Sequence, residues 1–267
     1  MREQTDKRLD LTGTGMDLGL KGKKVILTGG SRGIGRAALE IFAEEGADVA
    51  FFSRNPDQVA ETVTSLSRYG GKVIGEALDM GDLDAYAAWL RSAAERLGGC
   101  DIFVPGASAS GSGATGDWER CFNTDVRGTV IGCETLDPFL SESAAGAIVI
   151  VGSTAATETF LVPQAFNALK GALLVYAKQL GQAVGPKGIR VNAVSPGPIK
   201  FQGGNWEAIG DAMPELFAAT EAQFALGRWG GPEEVARMIV FLASPASSYT
   251  TGTNVVIDGG YTKRVQI

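Results

Sequence analysis

Short apolar runs alternate with longer segments of helical periodicity along nearly the whole chain, and this alternation restricts the fold more than any other feature. Runs at 25–27, 49–52, 73–78, 102–104, 148–151, 189–194 and 255–257 read as seven buried strands. After the first, Ile34, Ala37, Ala38, Ile41 and Phe42 fall on one helical face. Helical stretches at 56–69, 83–97, 117–140, 164–184 and 232–243 occupy the other gaps. Strands that are apolar throughout and joined by helical crossovers predict a parallel sheet buried on both faces. The fold class is therefore α/β, a three-layer doubly wound parallel sheet of about seven strands. A polar extension at 1–15 and one domain at 16–267 are expected, with no internal repeat.

Composition removes several function classes. The 267-residue chain contains no histidine. A Ser-His-Asp triad, a Cys-His pair and a His-ligated metal site are all excluded, and no metal is expected. The net charge of −6 argues against nucleic acid or an anionic membrane as partner. No apolar run nears the roughly 18–20 residues that span a bilayer. The first 20 residues also lack a signal-peptide core. Three cysteines, Cys100, Cys121 and Cys133, show no metal-ligand spacing. They read as reduced thiols filling core positions in a cytoplasmic protein.

Directly after the first strand stands Thr28-Gly29-Gly30-Ser31-Arg32-Gly33-Ile34-Gly35, which opens a helix. Here Gly29 permits a tight turn, Gly33 lets backbone approach a pyrophosphate, and Gly35 lets helix and strand pack closely. The helix N-terminus offers unpaired N–H groups and partial positive charge to the anion. Strand, loop and helix in this order predict a dinucleotide site.

These residues resemble the cofactor loop of the classical short-chain dehydrogenases/reductases. The resemblance recurs in GIRVNAVSPG at 188–197, GRWGGPEEV at 227–235, FLASP at 241–245 and TGTNVVIDGG at 251–260. Its nearest branch is that of the 3-oxoacyl-carrier-protein reductases. It implies a Rossmann fold, a nicotinamide cofactor, and hydride transfer to or from a small-molecule carbonyl or alcohol. It further implies a homotetramer with contacts from 232–258, and sets Asp79 and Met80 beside the adenine. Gly106 and Ala107 follow the fourth strand at the cofactor, and Pro196, Gly197, Pro198 and Ile199 lie beside the nicotinamide amide.

NAD-selecting relatives end the second strand in an acidic residue that holds the ribose hydroxyls. Here the strand ends in Ser53-Arg54, and Arg32 sits inside the glycine loop. Two guanidiniums suit a 2′-phosphate, so NADP(H) is expected in preference to NAD(H).

The resemblance puts a serine at Ser153 and the ribose-holding lysine at Lys170. The tyrosine that serves as general acid/base is replaced by Phe166, which can neither give nor take a proton. The relay asparagine position falls on Asp125, and the threonine after the Pro-Gly turn is Phe201. Three accounts are open at this stage. Hydride transfer continues with Ser153, Thr154, Asp125 or water supplying the proton, Asp125 being the first candidate; or the chain binds cofactor without turnover, as a sensor or silent subunit; or Phe166 is an engineered replacement. Glu158, downstream of Ser153, suits either a carboxylate facing the substrate or a solvated loop carboxylate. The aromatics at 201, 206, 217 and 224 suit either a lid over a ring-bearing substrate or helix packing.

Overall fold

The computed structural model describes residues 16–112, 115–159 and 162–265, so the extension expected at 1–15 lies outside the described residues. All seven runs expected as strands are strands: β1 (Lys24–Thr28), β2 (Asp48–Ser53), β3 (Val73–Ala77), β4 (Ile102–Pro105), β5 (Ala147–Val151), β6 (Arg190–Pro196) and β7 (Asn254–Ile257). They form one sheet in the order β3-β2-β1-β4-β5-β6-β7. Every neighbouring pair is parallel.

The helices are α1 (Gly33–Glu44), α2 (Pro56–Ser67), α3 (Leu83–Leu97), α4 (Trp118–Cys121), α5 (Gly128–Glu142), α6 (Ala165–Val184), α7 (Asn205–Ala212), α8 (Pro214–Glu221) and α9 (Pro232–Ala243). Successive strand residues point to opposite faces, so each strand feeds two cores. Val25 and Leu27 of β1 pack with Leu39 and Phe42 of α1 and with Val235 and Ile239 of α9. Ile26, between them, joins Tyr86 of α3, Leu136 of α5 and Leu173 of α6 on the other side.

Local chemistry marks the element ends. Asn55 accepts from the N–H groups of Asp57 and Gln58 (2.9 and 3.1 Å) with Pro56 at the first helical position, which starts α2. Asp82 caps α3 in the same way. The guanidinium of Arg190 donates to the carbonyls of Leu242, Ala243 and Ser244 (2.6–3.0 Å). It thereby satisfies the last turn of α9 and anchors that helix to β6.

Two segments differ from expectation. The stretch expected as one helix at 117–140 is interrupted by a π turn, Phe122–Arg127, between α4 and α5. A π turn admits one extra residue into the helical winding, so the side chains after it are rotated relative to those before. Asp125 is turned inward as a result. The segment at 200–226, with no element assigned from sequence, carries α7 and α8.

Burial also leaves one hydroxyl unsatisfied. The Tyr86 ring is fully buried and its Oη has no hydrogen-bond partner. An unpartnered buried polar group costs about 1–3 kcal/mol. Tyr86→Phe is therefore expected to raise the melting temperature, at about 2–4 °C per kcal/mol for a chain of this size. A calorimetric scan showing a lower melting temperature would contradict this.

Candidate active site

Strand order reverses between β1 and β4, which opens a crevice at the C-terminal ends of the strands, the usual ligand position in such sheets. A cavity of about 950 Å³ lies there. Thr28 closes β1, and its Oγ1 accepts from the N–H groups of Gly106 and Ala107 (3.0 Å each). The turn after β4 is thus pinned to the glycine loop. At Gly35 a Cβ would strike the Gly29 carbonyl, so only glycine seats the first turn of α1 directly on the loop. Gly29, Ser31, Gly33, Ile34, Gly106 and Ala107 all face the cavity.

Ser31 Oγ donates to Ser53 Oγ (2.7 Å), tying the glycine loop to the end of β2. The next residue on each segment is an arginine. Arg32 and Arg54 are both exposed and both line the cavity. Arg32 donates to the Gly203 carbonyl (3.0 Å). Asp79 and Met80, beyond β3, and Pro196, Gly197 and Ile199, at and beyond the end of β6, complete this part of the wall. The space a Cβ would need at Gly33 is filled by the Phe201 ring, 2.7 Å from that point. In this state Gly33 makes room for an aromatic side chain.

At the other end stand Ser153, Phe166 and Lys170. Ser153 Oγ accepts from the Ala155 N–H (3.1 Å), which leaves its O–H to donate. Lys170 is 4% exposed. Its Nζ donates to the Val151 carbonyl (2.8 Å) and pairs with Asp125 Oδ1 (3.1 Å). Asp125 Oδ2 accepts from the Ala109 N–H (2.9 Å). Asp125, expected from sequence as the first candidate proton donor, is not on the cavity wall but buried behind Lys170. The π turn aims its carboxylate at the ammonium and a backbone N–H rather than at a substrate.

A family model described as "Enoyl-(Acyl carrier protein) reductase" matches residues 29–262. The chain belongs to the short-chain dehydrogenase/reductase family. It is 38% identical over 247 residues to isoepoxydon dehydrogenase patN of Penicillium expansum, covering 91% of this chain and 95% of that one. It is 31% identical to the 3-oxoacyl-[acyl-carrier-protein] reductase FabG of Chlamydia pneumoniae, covering 92% and 100%. Among solved structures, L-sorbose reductase from Gluconobacter frateurii, in complex with NADPH and L-sorbose, superposes with a TM-score of 0.86 at 30% identity, covering 94% and 100%.

Phe166, which the sequence resemblance sets at the tyrosine position, is on the cavity wall. Its ring packs with Ala109, Cys121, Ala165 and Leu169 and lies 5.6 Å from Lys170 Nζ. The cation–π contact keeps the lysine beside an apolar face where the family resemblance calls for a phenol. The cysteines are buried, and burial raises their thiol pKa values, that of Cys133 to about 12. They are fillers.

Glu158 lines the cavity and is not a free solvated carboxylate. It is half-buried, and its Oε1 accepts from the N–H groups of Lys263 and Arg264 (3.2 Å each), because the C-terminal tail crosses it. The aromatics of 200–226 divide between the two roles expected for them. Phe201 and Trp206 line the cavity. Phe217 (4.3 Å, stacked) and Phe224 (5.1 Å, edge-on) pack against Trp229 instead. Tyr261, which sequence reasoning did not single out, lines the cavity as well. Its signal was positional: it lies shortly after a strand of a parallel sheet, on the side where the crevice opens.

Proposed function

We propose that the protein is an NADP(H)-dependent oxidoreductase that transfers hydride between the nicotinamide and a small carbonyl or alcohol. The observation that carries this is the pairing of Arg32 and Arg54 on one cavity wall, with Ser53 rather than a carboxylate ending β2. The residues present fit such a cofactor. Arg54 has no hydrogen bond or ion pair among the described residues, so its guanidinium is available to a 2′-phosphate. The N-terminus of α1 suits a pyrophosphate. The Phe201 ring would have to leave the space at Gly33 for that backbone to meet a phosphate, and Arg32, which donates to the Gly203 carbonyl, would turn to the anion.

When bound, the reduced nicotinamide supplies the hydride. Lys170 has three N–H donors; one is held by the Val151 carbonyl, and a second is kept on the Asp125 side by the ion pair rather than by a hydrogen bond. The third is left for a ribose hydroxyl. Ser153 donates its O–H to the substrate oxygen and orients the carbonyl. Phe166 gives the substrate end an aromatic surface, and Trp206 lies on the same cavity wall, which favours an apolar or ring-bearing substrate. A second reading, cofactor binding without turnover, is favoured by Phe166 alone.

Paired fluorescence titrations with NADPH and NADH, followed by NADPH oxidation against a panel of ketones and aldehydes, test both readings. NADPH-preferring binding with turnover is expected. Binding without turnover selects the second reading, and binding of neither nucleotide overturns both.

A further inference from the structure

With Phe166 in the tyrosine position and no histidine in the chain, hydride transfer needs another proton source at the substrate end of the cavity. The chain has five tyrosines. Tyr86 is sealed in the core, Tyr249 is fully exposed, Tyr69 bonds Glu40, and Tyr176 packs beside Cys133. Tyr261 is the one that lines the cavity among the described residues.

Its backbone is held on both sides. Before it, Asp258 Oδ1 accepts from the Gly260 N–H (2.9 Å); after it, Asp258 Oδ2 accepts from the N–H and hydroxyl of Thr262 (2.9 and 2.7 Å). Asp258 itself packs on Gly197, at the end of β6. The tail is then clamped to the Ser153 segment. Glu158 lies one turn beyond Ser153, its N–H bonded to the Thr154 carbonyl (3.0 Å), and its carboxylate holds the N–H groups of Lys263 and Arg264. Thr154 Oγ1 closes the circuit on the Pro196 carbonyl (3.3 Å). The network ties the backbone around Tyr261 to the segment that follows Ser153; the Tyr261 ring packs on Phe224 (centroids 5.6 Å apart), lies within electrostatic reach of Glu158, and shares the cavity wall with Ser153.

We propose that Tyr261 is the proton donor in carbonyl reduction, in place of the residue missing at 166. The inference rests on the hydride-transfer reading above. As the carbonyl carbon takes the hydride supplied by reduced nicotinamide, the Tyr261 O–H bond breaks and a new O–H bond forms on the substrate oxygen. The products are the alcohol and the oxidised cofactor, and the phenolate is reprotonated by solvent water. Burial, and secondarily the charge of Glu158, raise the phenol's pKa, so Tyr261 carries its proton at neutral pH.

Tyr261→Phe is expected to lower NADPH-dependent reduction of the best carbonyl of the panel by roughly 10²–10⁴-fold. NADPH titration should be unchanged. Binding of benzamide, a carbonyl probe that is not reduced, to the NADPH complex should weaken by about five- to tenfold for the lost hydrogen bond. Adding Phe166→Tyr to Tyr261→Phe is expected to restore turnover. Wild-type turnover in Tyr261→Phe overturns the assignment and leaves the hydride-transfer reading standing. Loss of NADPH binding together with turnover also overturns it, because Tyr261 would then be supporting the cleft. A wild-type chain that binds NADPH and reduces no carbonyl overturns both.

Discussion

Replacing Arg32 and Arg54 together by alanine is expected to weaken NADPH binding by roughly 10²–10⁴-fold and to leave NADH binding unchanged. The range follows from two charge-assisted contacts at about 1.5–3 kcal/mol each, with about 1.4 kcal/mol per tenfold. The two positions are not equivalent. Arg54 is exposed and bonded to nothing among the described residues, so Arg54→Ala removes a charge and disturbs no other contact. Arg32 holds the Gly203 carbonyl, so Arg32→Ala also releases the segment that carries Phe201. Fluorescence titration of each single variant separates the two effects. If NADPH and NADH affinities fall in parallel, the arginines act on the shape of the loop and do not read a phosphate.

Lys170→Met is expected to destabilise the fold by about 3–5 kcal/mol, because it strands the Asp125 carboxylate in the interior. The two side chains are only 5% and 1% exposed, so water cannot take over the charge. At about 2–4 °C per kcal/mol for a chain of this size, the melting temperature should fall by roughly 6–20 °C. Combining Lys170→Met with Asp125→Leu removes both charges and should recover most of the loss, as buried ion pairs replaced by apolar residues are often neutral. Calorimetry on the single and double variants checks this. A single variant as stable as the wild type would mean that the pair is hydrated and that Asp125 is reachable from the cavity after all.

The strands and the glycine loop were legible because their signals are local. Four apolar residues in a row, bounded by turns, can satisfy their backbone and bury both faces only inside a covered sheet. The run from Thr28 to Gly35 needs nothing beyond its own neighbours to be a strand–loop–helix junction. Arg54 followed from its position after β2, Lys170 on α6 from the family resemblance, and both line the cavity.

The positions whose surroundings the sequence left open depend on partners far away in the chain. Asp125 faces inward because a π turn, stabilised by contacts that no hydrophobic period reveals, rotates it toward Lys170 and Ala109. Glu158 is held because a tail more than a hundred residues later crosses it. The space at Gly33 belongs to Phe201, from a segment beyond β6.

Side-chain type and order along the chain were thus enough for the doubly wound sheet and for the glycine loop that opens its first helix. These follow from burial and backbone hydrogen bonding, which act over a few residues. Which carboxylate is sequestered, and which tyrosine lines the cavity, was settled by packing between elements. A side chain's direction there depends on a turn geometry or a crossing segment that short-range periodicity does not encode.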